Sequence, residues 1–441
     1  MNKFKLSQLL ALMMTAWLSD CVFADDPKAD SSTQQSQDDQ SGQAQNDQGG
    51  QGGADDSHRD EVITTKLSGQ LQGMSFLGKG GLNKKTTQQQ SVYFLATGNI
   101  GIDAAGTTKD GLQYGGTVSI SADHASTGSA ATSAYINLSN SYGTIKIGTI
   151  SSSGAGELAI DGASSTLGGQ EGFSGYLGSV YTGCTGAITS QYMPYDIQGS
   201  SSILYSTPEM AGFTVAVSYT PHNQMTGSAS KSDGSGTFDD PAIGGNLYAT
   251  VKNMIAAGVQ YNHANDIWNT TVALVGWHGQ DAIAGDASRT NKVKKLRAYQ
   301  VGATVGYGNL TCGVGFLNLG DSLLNTYVPD EVNGTLPGAD AGKAYTIGAS
   351  YVFNKWKFAS AYMHTVEKFG KSNDAKCNAF SCTVDYNYIN GLAFYGEFNY
   401  ISTTTSETAL RYNGITDPDD IKNAEKSSSG TFLTFGIRLS F

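Results

Sequence analysis

Apolar and polar residues alternate with a period of two at about sixteen places along this chain, and this limits its fold more than any other feature. In the first such segment Ile63, Thr65 and Leu67 share one face, while Lys66 and Ser68 lie on the other. Successive side chains of a β-strand point to opposite faces, so the period predicts strands that are half apolar. The predicted strands are residues 62–76, 91–103, 111–123, 132–140, 143–150, 200–206, 212–220, 254–263, 267–279, 297–307, 309–319, 343–353, 355–367, 381–389, 392–402 and 430–441.

The connections between these strands alternate between long and short, which predicts a membrane barrel rather than a soluble sandwich. Residues 151–199, 221–253 and 320–342 are among the long connections, whereas Asn390 and Gly391 form a two-residue hairpin signal. Long loops on one rim and tight turns on the other are typical of outer-membrane barrels, with the long loops extracellular. We therefore predict an all-β fold, a 16-stranded antiparallel transmembrane β-barrel that occupies residues 61–441.

Composition and charge support this fold and exclude some partners. The chain holds 56 Gly and 23 Tyr but only 8 Pro in 441 residues, which fits many strands and tight turns. After residue 24 no apolar run approaches the roughly 18 residues that a membrane helix requires. The formal net charge of −11 argues against nucleic acid as a partner.

Two segments precede the predicted barrel. Residues 1–24 carry Lys3 and Lys5, an apolar stretch and a terminal Ala24, the pattern of a cleaved signal peptide. Residues 25–60 are rich in Gln, Asp, Ser and Gly and nearly devoid of apolar side chains. Such a tract cannot bury enough surface to offset its ordering entropy, so we interpret it as a disordered spacer that the barrel does not need.

The connection at residues 151–199 is the candidate for a constriction. It contains 49 residues with no Lys or Arg, and it carries the acids Glu157, Asp161, Glu171 and Asp196. Long irregular loops in a compact domain are usually functional or disordered. We predict that this third long loop folds into the mouth of the barrel and that Glu157, Asp161 and Glu171 line the narrowed pore. A mobile surface loop is the alternative.

Strand parity predicts which charged side chains of the wall face the lumen. It turns Lys66, Lys146 and Arg438 inward. The inward faces otherwise hold mainly Thr, Ser, Gly, Ala and Gln, which favours general diffusion over the aromatic slide of a sugar channel. Charged rings set the sign of the permeant ion, and the four loop acids predict a mild preference for cations.

Three segments resemble general diffusion porins of the neisserial and burkholderial type. Residues 201–221 are similar to the strand, turn and strand that follow the third loop in that family, residues 135–148 to the preceding hairpin, and residues 432–441 to the terminal strand. The resemblance implies a homotrimeric, water-filled channel in the outer membrane of a Gram-negative bacterium, with the third loop as constriction. The chain retains Lys146 but has Leu204 and Thr149 where the family often has Arg, which thins the expected basic arc.

These observations predict a passive outer-membrane channel that is not an enzyme. Its expected partners are outer-membrane lipid, ions and small hydrophilic solutes, and no cofactor is implied. The six His residues show no metal-ligand spacing, and no local group identifies a barrel phospholipase or protease. A substrate-specific channel or a surface adhesin barrel is the alternative, because the other extracellular loops are also long.

Cys377 and Cys382 lie close enough in sequence for a small disulfide-closed loop. Four residues separate them within the predicted connection 368–380 and the start of the next strand. Spacing alone does not fix the pairing, and two free thiols are equally consistent with it.

Overall fold

The described part of the chain forms a closed antiparallel β-barrel of sixteen strands. The computed structural model describes residues 63–80, 92–121, 131–150, 154–163, 201–222, 251–281, 295–322, 340–368, 374–404 and 427–441. The predicted signal peptide at 1–24 and spacer at 25–60 lie outside these residues. Within them, no helix has the length and apolar character needed to cross a membrane.

All sixteen predicted strands are confirmed. They are β1 (Thr64–Gly80), β2 (Val92–Thr107), β3 (Gln113–Ser121), β4 (Ala131–Asn140), β5 (Gly143–Thr149), β6 (Ser201–Ser206), β7 (Phe213–His222), β8 (Val251–Ala264), β9 (Trp268–Asp281), β10 (Leu296–Tyr307), β11 (Leu310–Gly320), β12 (Asp340–Phe353), β13 (Trp356–Lys368), β14 (Asp374–Ile389), β15 (Leu392–Thr404) and β16 (Ser427–Ser440). Tight turns join them on one rim. Asn354 and Gly391 have φ values of 54° and 83° there, the left-handed conformation that two-residue hairpins require.

The seam of the barrel joins its first and last strands. Each strand pairs with its neighbours in chain order, and β1 also pairs with β16, from Gln70 opposite Ser440 to Gly80 opposite Gly430. Gly69 and Phe441 exchange two backbone hydrogen bonds of 2.9 and 3.1 Å. Since every strand has two neighbours, the sheet presents no unpaired edge.

The outer surface of the barrel is an apolar band flanked by aromatic rings. In β16, Leu433, Phe435 and Ile437 are exposed on the outside, whereas Thr434 is buried inside, as the alternation predicts. Near the short turns the rings pack in tilted pairs: Trp268 and Tyr307 have centroids 4.6 Å apart, and Trp356 and Tyr386 have centroids 4.5 Å apart. Such girdles mark the membrane interface.

Strand β14 begins seven residues before the predicted start at residue 381, so the predicted connection 368–380 is wrong over its second half. Its buried positions there hold the small apolar side chains of Ala375 and Ala379, while Lys376 faces outwards and is exposed. The period of two continues, but the sense of the alternation is reversed at the long-loop rim. A pattern of apolar outward residues therefore does not predict the first seven residues of β14.

Of the two alternatives left open for Cys377 and Cys382, the structure has the free thiols and not the disulfide. Both thiols are free, and they lie on the same strand, where Cys377 is buried on the inner face and Cys382 lies on the outer face. Five residues of extended chain span roughly 16 Å. A disulfide requires Cα atoms within about 7 Å.

Candidate functional site: the barrel interior

Residues 154–163 of the third long loop lie inside the barrel, which confirms the predicted inward fold for this part of the loop. They begin with a short 3-10 helix, Gly154–Leu158, that packs on the inner faces of β6 to β9. The following residues continue along the wall to β12. Three hydrogen bonds fix the segment: Ala155 N donates to Ser218 Oγ (2.9 Å), Gln300 Nε2 donates to Ile160 O (3.2 Å), and Gly162 N donates to Thr346 Oγ1 (3.1 Å).

Glycines on the inner wall make room for this close approach. A Cβ added at Gly302 of β10 would overlap the carbonyl oxygen of Ile160, and a Cβ at Gly315 of β11 would lie 2.9 Å from the nitrogen of Gly162. Glycine within a strand commonly marks a site where another backbone approaches closely. The wall of β10 and β11 is thus shaped to receive the loop.

The wall beneath the loop segment is apolar, which corrects the expectation of small polar inward faces. Leu204 is fully buried and belongs to one apolar cluster with Ile150 and Ala155. The other buried members are Ala216, Val251, Met254, Ala256, Val275, Trp277, Leu296, Ala298, Leu317, Leu319 and Ala344. Position 204, where the general diffusion porins that the chain resembles often have Arg, is therefore part of the apolar surface that supports the loop.

The opposite wall, formed by β13 to β16, is polar. Three carboxylates, those of Glu367, Asp385 and Glu397, are buried on the inner face of this wall. They alternate along their strands with residues that point outwards. Buried uncharged polar side chains accompany them: Thr365, Ser381, Thr383, Asn399, Thr403 and Thr434. The interior therefore has an apolar half that holds the loop and a polar half that carries charge.

Two of the predicted pore residues form an ion pair across the loop–wall contact. The Nζ atom of Lys146 on β5 lies 3.1 and 3.2 Å from the carboxylate oxygens of Glu157 on the 3-10 helix. The two side chains keep 25% and 35% of their surfaces exposed, so the pair remains in contact with solvent. The ammonium group also lies 5.7 Å from the ring centroid of Tyr135.

The other predicted loop acids are placed differently. Asp161 is 7% exposed, and its Oδ1 accepts a hydrogen bond from Ala163 N (3.3 Å). Its carboxylate therefore stabilises the backbone turn that lies against the wall. Glu171 and Asp196 lie outside the described residues. Of the acids predicted to line the pore, Glu157 is thus the one that the described residues place at a solvent-exposed position.

The remaining predicted cations lie away from the loop segment. Arg438 pairs with Asp385 at 3.6 Å near the short-turn end of β16, and Lys66 is exposed at the third residue of β1. Lys357, in register with Asp385, was missed by sequence analysis, although its parity turns it inward. These cations do not join Lys146 in an arc facing residues 154–163, which pack against the opposite wall.

The described residues offer no centre for metal chemistry. No three His, Cys, Asp or Glu side chains within them converge on a point that could hold a metal ion. The charged groups of the interior are spread over several strands.

Comparison with known proteins gives a consistent picture. A family model described as Gram-negative porin matches residues 34–406. An uncharacterized protein of Rickettsia prowazekii is 27% identical over 229 residues, which cover 44% of this chain and 49% of that protein. A similar protein of Rickettsia typhi is 26% identical over 237 residues, again 44% and 49%. The chain thus spans about half the length of these curated relatives.

Among solved structures, OmpT of Vibrio cholerae in its in-vitro folded trimer form has a TM-score of 0.51 at 16% identity. The match covers 86% of this chain and 100% of that one. At this level of identity the likeness shows a shared outer-membrane barrel fold.

Proposed function

Since the chain belongs to the Gram-negative porin family and resides in the outer membrane, we propose that it is a non-enzymatic channel for passive diffusion of ions and small hydrophilic solutes. The observation that carries this proposal is the division of the barrel interior. Residues 154–163 pack on the apolar cluster of the wall, and the wall of β13 to β16 holds buried carboxylates and uncharged polar side chains, which we infer border a water-filled path. A polar lumen of this kind is typical of porin barrels.

We further propose a mild preference for cations, to which Glu157 contributes at the loop. The wall of β13 to β16 supports this sign, because it holds the inward carboxylates of Glu367, Asp385 and Glu397 against the cations of Lys357 and Arg438. These carboxylates are buried, so they act on a passing ion through their field and not by direct contact. Charged groups that line a pore set the sign of the ion that passes. The preference is mild because Lys146 neutralises Glu157 and Arg438 neutralises Asp385 in part.

Planar-bilayer recording of the purified chain tests the channel proposal. We expect stepwise single-channel conductance that scales with salt and is not blocked by any one sugar or amino acid in a solute series. Saturable block by one solute class would favour the substrate-specific alternative. A protein that folds as a barrel but gives no steps above a detergent control would contradict channel activity altogether.

We also propose that the channel is a homotrimer, since the similar OmpT barrel of Vibrio cholerae has a trimer form. Without cross-linker, the detergent-solubilised protein should run at three times the monomer mass and collapse to the monomer on boiling. After chemical cross-linking, the band at three times the monomer mass should survive boiling. Cross-linking that stops at the monomer over a range of reagent concentrations would remove this part of the proposal and leave the channel itself untouched.

A further inference from the structure

A row of solvent-accessible polar side chains crosses the inner face of the barrel from β1 to β4. Strand register joins its members, which we call the lumen row: Lys66, Asp103, Thr117 and Tyr135. Each of them is at least partly exposed. Their neighbours along the strands are exposed apolar residues of the outer face: Leu67, Ile102, Val118 and Ile136. The row ends beside the ion pair at the loop, because the Nζ atom of Lys146 lies 5.7 Å from the centroid of the Tyr135 ring.

Asp103 is the one acid on the inner faces of β1 to β5, within the residues that the structure describes there. Its Oδ1 atom accepts a hydrogen bond from Thr117 Oγ1 at 2.6 Å, which holds the carboxylate against the wall. An ionised carboxylate offers about four lone-pair positions, so this bond leaves most of its capacity for a cation or for the water around it. The buried carboxylates of β13 to β16 have almost no such contact with solvent.

The charge of Asp103 is not balanced by an ion pair. Lys66 lies opposite it in register, yet neither side chain takes part in an ion pair with any described residue. The Lys66 ammonium is instead an exposed, strongly hydrated charge on a flexible stem. Glu157, by contrast, has Lys146 at 3.1 Å, so the net charge of that pair is zero. Asp103 is thus a solvent-accessible lumen acid whose field no ion-paired cation of the described residues cancels.

We propose that Asp103 is a cation-binding residue of the pore wall and that it sets most of the net cation preference. The inference rests on the proposed channel and names a residue that determines its ionic selectivity. The ligand is a small inorganic cation that keeps part of its hydration shell. Asp103 and Tyr135 are two strands apart, roughly 10 Å, so this site lies beside Glu157 without overlapping it. Charged side chains that line a pore set the sign of the permeant ion.

Ion selectivity of Asp103→Asn channels in planar bilayers tests this proposal. The amide keeps an oxygen that can accept the hydrogen bond from Thr117, so charge is the property that changes. The zero-current potential in a salt gradient gives the cation-to-anion permeability ratio. We expect this ratio to fall roughly fivefold at about 0.01 M salt, the effect of one unit charge about 4 Å from an ion in water. At about 1 M salt, where the screening length is about 3 Å, the wild type and the variant should differ little.

Matched variants separate the position of this charge from its presence. Asp110→Asn, the same substitution in the exposed turn after β2, should record as the wild type does. Asp103→Glu should keep the preference because it keeps the charge, and Lys66→Gln should raise the ratio. In the double variant Lys146→Gln/Glu157→Gln, which leaves the net charge of the pair unchanged, adding Asp103→Asn should lower the ratio as much as it does in the wild type.

Three results would contradict the proposal and leave the channel itself untouched. The first is an Asp103→Asn channel that conducts with the wild-type permeability ratio at low salt. The second is an equal fall in Asp110→Asn, because the preference would then follow the total charge of the barrel and not a residue of the lumen row. The third is loss of the Asp103→Asn effect in the double variant, which would assign the preference to the Lys146–Glu157 pair.

Discussion

Replacing Gly302 by alanine should unseat the loop from the inner wall and produce channels that switch between two conductance levels. The added Cβ would overlap the carbonyl oxygen of Ile160, which is also the acceptor for Gln300. Overpacking of this kind costs about 1–3 kcal/mol. The ratio of unseated to seated loop should therefore rise roughly fivefold to a hundredfold, and single-channel recording would show it as more frequent steps to a larger conductance.

Gly276→Ala is the matched control for this experiment. Gly276 lies on the neighbouring strand β9, and the atom nearest to an added Cβ is Ala298 O at 3.8 Å, an ordinary contact. This variant should record as the wild type does. If Gly302→Ala folds to the same heat-modifiable barrel and its conductance and noise are unchanged, the seat formed by Gly302 does not control the pore.

Glu157→Gln should shift the zero-current potential in a salt gradient towards anions. The substitution removes one negative charge and leaves Lys146, its partner at 3.1 Å, as an unpaired cation in contact with solvent. A unit charge about 4 Å from an ion in water is worth about 1 kcal/mol, or roughly fivefold in local ion concentration. The shift should grow as salt is lowered, because the screening length rises from about 10 Å at 0.1 M to about 30 Å at 0.01 M.

The reverse variant and the double variant complete this test. Lys146→Gln should move the potential towards cations, and the double variant should return close to the wild-type value because the net charge of the pair is restored. Asp161→Asn should have a smaller effect, since its carboxylate is 7% exposed and bonds the turn. Asp110→Asn, in the exposed turn between β2 and β3, controls for charge outside the lumen. Unchanged potentials in both single variants would show that residues 154–163 do not line the conducting path.

The barrel could be predicted from sequence because a membrane imposes one rule on every strand. The outward face must be apolar, so the alternating residues Leu433, Phe435 and Ile437 predict their strand from local sequence alone. The rule ends where the hydrocarbon ends. At the start of β14 the outward residue is Lys376, and the same period with reversed polarity has the sequence pattern of a loop.

The interior could be predicted only in part, because its pattern depends on which segment rests against it. Strand parity correctly turned Lys146 inward, and the acidic loop supplied Glu157 as its partner. The apolar seat around Leu204 could not be predicted, since an inward apolar residue has meaning only once the loop is known to cover it.

The seam between β1 and β16 makes closure of the barrel a late event in folding. Gly69 and Phe441 come from opposite ends of the paired sheet in sequence, and their contact closes a loop that contains every other strand. Contacts of such long range are slow to form, because the chain must lose the conformational entropy of a long loop before the contact contributes any stabilising energy. Until then both terminal strands expose unpaired backbone groups, the form in which sheets aggregate. The chain is therefore most prone to aggregate before its first and last strands have paired.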